Sequence, residues 1–97
     1  MASTALITFD WDRWNIQKNE AKHGVSAAEA ESAFYDHAYR LFEDWQHSAE
    51  REKRYILYGK SMEGRVLMIG FTVRGRKVRI ITARPASRKE RELYGAG

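Results

Sequence analysis

The stretch VLMIGFTVRGRKVRIITAR, residues 66–84, constrains the fold more than any other part of the chain. Its first half, VLMIGFTV, is almost unbroken apolar sequence, the pattern of a central strand covered on both faces. Gly75, inside RGRK, supplies a hairpin turn, and VRIITAR is the returning strand. Side chains alternate along a strand, so a regular β-ladder puts Val78, Ile80, Thr82 and Arg84 on one face and Arg79, Ile81 and Ala83 on the other. An unpaired guanidinium is costly to bury, so Arg79 must lie on an open face or have a partner. Arg84, at the strand's end, is aimed less firmly by the alternation.

The remaining elements are short. LITFDW, residues 6–11, suits a strand. Asp12 is placed as a helix N-cap and Gly24 as the stop, and RWNIQKNEAKH between them is a polar helix with a thin apolar stripe of Trp14, Ile16 and Ala21. Ser26 and Glu29 form a capping box for a second helix, with Val25 placed to staple onto Ala30. Ala27, Ala30, Ala33 and Phe34 recur at helical spacing, and this helix should end near Asp36. From Tyr39 the period falls to two: YRLFED and RYILYGKS are strands joined by the charged loop WQHSAEREK, and MEGR turns into the apolar run. After Pro85, SRKERELY reads as a short charged helix with Ser87 at its N-cap. The expected order is β-α-α-β-β-β-α. It describes an α+β, two-layer domain in which an antiparallel sheet is covered by the two N-terminal helices.

Length and composition narrow the function classes. A chain of 97 residues has room for one domain, 1–97, and 43% hydrophobic with 31% charged residues is a globular mixture. No apolar run approaches the roughly 18 residues of a membrane span. MASTALITFDWD has no basic segment ahead of its apolar run, so it does not read as a signal peptide. A cytoplasmic protein without a membrane partner is expected. The absence of cysteine excludes disulfides, thiolate metal sites and cysteine nucleophiles. The net charge of +4 is unevenly spread: residues 65–97 carry nine basic and two acidic side chains, or +7, and residues 1–64 carry −3. A small fold with one strongly cationic end attracts polyanions, nucleic acid first among them.

Three constellations could carry chemistry. Lys22 and His23 end the first helix beside Gly24, where the macrodipole favours cations and should push His23 towards imidazolium. Basic residues at helix ends are also ordinary caps. Arg79, Arg84 and Arg88 present planar forks suited to a phosphate, unless Glu50, Glu52, Glu90 or Glu92 pairs with them inside the fold. Trp11 and Tyr94 flank charged segments and could stack on unpaired bases, or could simply pack. His23, His37 and His47 show no metal-ligand spacing, and no phosphate-loop motif is present. This inventory suits RNA cleavage by the RNA's own 2′-hydroxyl, which needs no cofactor. His23, Lys22 and Glu52 could share the proton transfers, and Arg79 and Arg84 could hold the phosphate.

The run FDWD…NIQKNEAKHGVSAAEAESAF, followed by RYILYGKSMEGRVLMIGFTVRG and VRIITARPASRKERELY, resembles the BrnT-type toxin family from Phe9 to Tyr94. The resemblance implies a RelE-like ribonuclease fold and the toxin role in a type II toxin–antitoxin pair, with RNA cleavage that inhibits translation. It implies a BrnA-type ribbon-helix-helix antitoxin as partner, with DNA reached only indirectly through that antitoxin. It carries over Trp11 from FDWD, Lys22 and His23 from KHG, Arg79 and Arg84 from RIITAR, and Arg88, Arg91 and Tyr94 from the terminal segment. Glu52 and Arg54 align loosely, because the loop after Asp44 varies, and Arg65 and Arg74 join the expected RNA-binding set as members of the basic segment. Glu20-Ala21 and Pro85 depart from the family pattern. A non-catalytic antitoxin-binding or RNA-binding module is the alternative. It predicts an apolar groove and arginines paired off, where catalysis predicts an accessible cationic cleft holding a proton-transfer group.

Overall fold

The computed structural model describes residues 6–95. In chain order these form β1 (Thr8–Asp10), α1 (Arg13–His23), α2 (Ala27–Ser32), a 3-10 turn (Ala33–Tyr35), β2 (Arg40–Glu43), β3 (Arg54–Lys60), β4 (Val66–Arg74), β5 (Lys77–Pro85) and α3 (Arg88–Gly95). The α+β class holds, and all four segments read as strands after the helices form strands, so the order β-α-α-β-β-β-α counts one strand too few. The sheet order is β1-β5-β4-β3-β2. The last four strands run as an antiparallel meander, whereas β1 joins β5 in parallel, so the sheet is mixed rather than wholly antiparallel. The outer ends of the single-domain span, residues 1–5 and 96–97, lie outside the described residues.

The local signals explain most of these elements. Asp12 caps α1 by accepting from the Trp14 N–H at 2.8 Å, and Gly24 ends it in the left-handed region at φ 65°. Ser26 caps α2 through the Glu29 N–H at 3.1 Å. Glu29 does not return the capping box, because its carboxylate is taken by Ser61 and Arg65. The expected stripe of α1 is not what buries: Trp14 is 68% exposed, and the buried residue of that helix is Asn19. Asn19 Oδ1 accepts from the Ala83 N–H at 3.3 Å, so α1 supplies the hydrogen bond that β5 lacks beyond the end of β1.

One face of the sheet packs against the helices through Leu57, Leu67, Ile69, Phe71, Ile80 and Ala83, which meet Val25, Ala30, Ala33 and Phe34. Full burial of Leu67, Ile69 and Ile80 contributes about 1.5–3 kcal/mol each relative to exposure, enough to fix the register. The central position of β4 was expected, but its second face is not covered by a helical layer. Only α3 crosses one end of that face, near β3 and β4.

A β-bulge aims the basic residues. Gly70 pairs with Thr82 but Phe71 pairs with Ile80, which leaves Ile81 as an extra residue in β5. Regular alternation would have separated Arg79 from Arg84. The bulge instead keeps Ile80 and Ala83 on the core face and turns Arg79, Thr82 and Arg84 together onto the open face.

Candidate functional site

The open face holds a cavity of about 400 Å³. Ile56, Met68, Gly70 and Thr82 form its floor, and Arg54 and Arg84 stand on it. Asp44 and His47 wall it from the turn after β2, and Glu90 walls it from α3. The size suits a small polar ligand or a nucleotide-sized group. Two guanidiniums, an imidazole, a hydroxyl and two carboxylates therefore share one recess.

Each charged group is held. Arg84 Nη1 and Nη2 donate to the two Glu90 oxygens at 2.7 and 2.9 Å, a bidentate pair. Arg84 and the Ser87 N–H together draw the Glu90 carboxyl down to about 2. The bond to Glu90 in turn raises the Arg84 pKa. Burial, then the negative charge of Glu90, pushes the Tyr58 phenol above its usual range. Arg54 Nε lies 3.5 Å from Glu52 Oε1. On the turn, His47 Nδ1 meets Asp44 Oδ2 at 2.7 Å.

The expected site residues divide into separate places. His23 ends α1, and α1 packs against β5, the strand that carries Arg84. The expected push towards imidazolium is overturned: burial, then Lys22, Arg84 and Lys18, lowers the His23 pKa, so it favours neutral imidazole. Lys22 and His23 nevertheless do not line the cavity. Arg79 shares the open face but lies beside β1, with its Nε 3.5 Å from Asp10 Oδ2. Glu52 contacts both Arg54 and Arg74, the latter at 3.7 Å, at the far end of β4. Lys22, His23 and Glu52 therefore do not converge as a shared proton-transfer group.

Four expected RNA contacts have structural work instead. Trp11 donates its indole N–H to Glu31 at 2.6 Å and packs on the core. Tyr94 donates its hydroxyl to Asp36 at 2.6 Å, which pushes its own pKa up to about 12 and latches α3 to the 3-10 turn. Arg65 bonds both Glu29 oxygens at 2.7 and 2.8 Å and the Gly24 carbonyl at 2.9 Å, so its Nε and Nη2 donate inside the fold. Arg91 reaches the Ala86 carbonyl at 3.1 Å. Arg88 is exposed on the first turn of α3. Among the described residues, no group of three or more histidine or carboxylate side chains is gathered to hold a metal ion.

A second, smaller recess of about 150 Å³ opens on the helix side of the sheet, lined by Ile7, Phe34, Tyr39, Leu41, Leu57 and Val78 among others. Features asked of the alternative module are thus present, since Arg65, Arg74, Arg79 and Arg84 each meet a carboxylate and an apolar recess exists.

Comparison with known proteins decides the family. The model of the ribonuclease toxin BrnT of type II toxin–antitoxin systems matches residues 11–90. The chain belongs to the BrnT toxin family. No curated protein matches it. The crystal structure of the Brucella abortus ribonuclease toxin BrnT is similar over 86% of this chain and 100% of that one, with a TM-score of 0.63 and 22% sequence identity. At that identity the likeness speaks for the BrnT fold alone. Family membership implies an RNA substrate and an antitoxin partner.

Asp44, His47, Thr82 and Glu90 were not expected as members of the recess, and Arg54 entered only through its loose alignment beside Glu52. The signal for Asp44 and His47 was their three-residue spacing in a turn, where an aspartate side chain readily accepts from the chain ahead of it. Glu90 was named only as a partner that could neutralise arginine. Nothing local to Arg54 or Thr82 reveals that they face the same space.

Proposed function

We propose that this BrnT-family chain is a metal-independent endoribonuclease that cuts RNA on the open sheet face. It works as a RelE-like translation-inhibiting toxin in the cytoplasm and is neutralised by a BrnA-type ribbon-helix-helix antitoxin. The observation that carries this reading is the recess in which Arg54 and Arg84 stand over one floor. Guanidiniums can bind a phosphate diester and stabilise the charge that develops on its oxygens as the 2′-hydroxyl attacks. Arg84 exchanges part of its bond to Glu90 for the phosphate, and Arg79, Arg88 and Lys22 extend the cationic surface along the RNA.

The second reading is a non-catalytic module that binds an antitoxin and takes part in promoter autoregulation. It draws on the pairing of Arg84 with Glu90 and on the groove beside Tyr39 and Leu41. The deciding experiment incubates purified protein in EDTA with RNA, and with the same RNA carrying a single 2′-deoxy nucleotide at the cleavage position. Ribonuclease action predicts a 2′,3′-cyclic phosphate, or its hydrolysis product, from the first RNA and an intact bond in the second. Cleavage of the deoxy bond, or cleavage only with added magnesium, contradicts the mechanism. No cleavage of either RNA supports the non-catalytic module.

A further inference from the structure

The recess needs a group that can take a proton, and the turn between β2 and β3 places one there. His47 donates or shares its Nδ1 proton with Asp44 Oδ2 at 2.7 Å, and the His47 backbone N–H points to Asp44 Oδ1 at 3.4 Å. The turn is fastened to β3 on both sides. The Asp44 N–H bonds the Arg54 carbonyl at 2.8 Å, and the Arg54 N–H bonds Ser48 Oγ at 2.9 Å. Ser48 Oγ also donates to the Asp44 carbonyl at 2.8 Å. The imidazole therefore sits on a braced turn rather than a loose loop, although 66% of its side chain is exposed.

The carboxylate also sets the tautomer. With Asp44 accepting from Nδ1–H, the neutral ring carries its lone pair on Nε2. Among the described residues nothing bonds Nε2, and His47 lines the same recess as Arg54 and Arg84. His23 and Lys22 do not line it.

We propose that His47, positioned by Asp44, is the general base of this site. The inference rests on the ribonuclease reading. His47 Nε2 takes the proton of the RNA 2′-hydroxyl, and the freed oxygen forms a bond to the adjacent phosphorus. The P–O5′ bond breaks, and the leaving 5′-oxygen takes a proton from water. The products are a 2′,3′-cyclic phosphate and a 5′-hydroxyl end, with the 2′-hydroxyl proton left on His47 Nε2. Asp44 is a positioning residue in this scheme. The charged groups that line the recess with His47 are Asp44 on its own turn, Arg54 from β3, Arg84 from β5 and Glu90 from α3.

The test compares wild type, His47→Ala, Asp44→Asn and His37→Ala on the same RNA, in EDTA, with and without added imidazole. Thermal melts check that each variant is folded. His47→Ala is expected to lose about a hundredfold or more in cleavage rate while still binding RNA, and free imidazole is expected to restore part of that rate. Asp44→Asn is expected to lose about tenfold or more in kcat with KM little changed. His37→Ala should cut like wild type. A His47→Ala rate within about threefold of wild type, or a loss that imidazole does not restore, overturns the proposal. Failure of wild type itself to cut RNA overturns the ribonuclease reading, and His47 falls with it. Cleavage by wild type with an indifferent His47→Ala removes only the dyad.

Discussion

Arg84 can hold a phosphate only by loosening its grip on Glu90. The two groups form a bidentate pair with 32% and 18% of their side chains exposed. A half-buried, bidentate carboxylate is a strong competitor for the same fork that an RNA phosphate would use. Glu90→Gln removes the competing charge, so it should tighten RNA binding and steepen its dependence on salt, because one more cation then answers to phosphate. A binding titration across salt concentrations checks this, and weaker binding with an unchanged slope would place the RNA elsewhere. The same pair predicts an acid response. The folded-state pKa of Glu90 lies near 2, below its ordinary 4.5. Its stabilisation is therefore full above about pH 4.5 and is lost as pH falls towards 2, an effect of about 3 kcal/mol in order of magnitude. Glu90→Gln should flatten that part of the stability–pH curve. The sequence named Glu90 as a possible partner but could not choose it over Glu50, Glu52 or Glu92, because the choice depends on where α3 lies against the sheet.

The bulge in β5 does at the level of the element what no single residue does. Arg79 and Arg84 are five positions apart, an odd spacing that regular alternation assigns to opposite faces. The doublet Ile80-Ile81 was the visible sign of trouble, since both cannot follow the core face of a regular strand. Only Ile80 is fully buried, and the extra residue Ile81 restores a common face for the arginines. The capped helices were legible because Asp12, Gly24 and Ser26 act within a few residues of themselves. The role of Asn19 was not legible, because its partner Ala83 lies on a strand far along the chain. Gly59 is a second position of this kind. A Cβ there would come within 2.4 Å of the Ala33 carbonyl oxygen, so the close approach of the 3-10 turn to β3 requires glycine. Gly59→Ala should destabilise the protein by about 1–3 kcal/mol, read as a lower urea midpoint with an unchanged slope. An unchanged midpoint would mean that the turn does not pack as closely as described.

Across the whole molecule, the charge asymmetry seen in the sequence becomes an arrangement of paired and unpaired cations. The +7 of residues 65–97 does not form one bare basic surface, because Arg65, Arg74 and Arg79 each meet a carboxylate from residues 1–64, and Arg84 meets Glu90 within the segment itself. Composition shows the excess of arginine but not its partners, which is why the expected RNA-binding set was broader than the recess. The sheet keeps α1 and α2 on one side, leaving the opposite face for Arg54, Arg84, the His47 turn and α3. The account's central claim is that this face is where RNA is cut. The most direct measurement is the cleavage rate of the double variant Arg84→Ala/Glu90→Gln in EDTA, with the fold checked by melting. Removing both halves of the pair leaves no unpaired buried charge behind. The account predicts a loss of about a hundredfold or more, the usual cost of deleting one donor to a developing oxyanion. A rate within about threefold of wild type would contradict it.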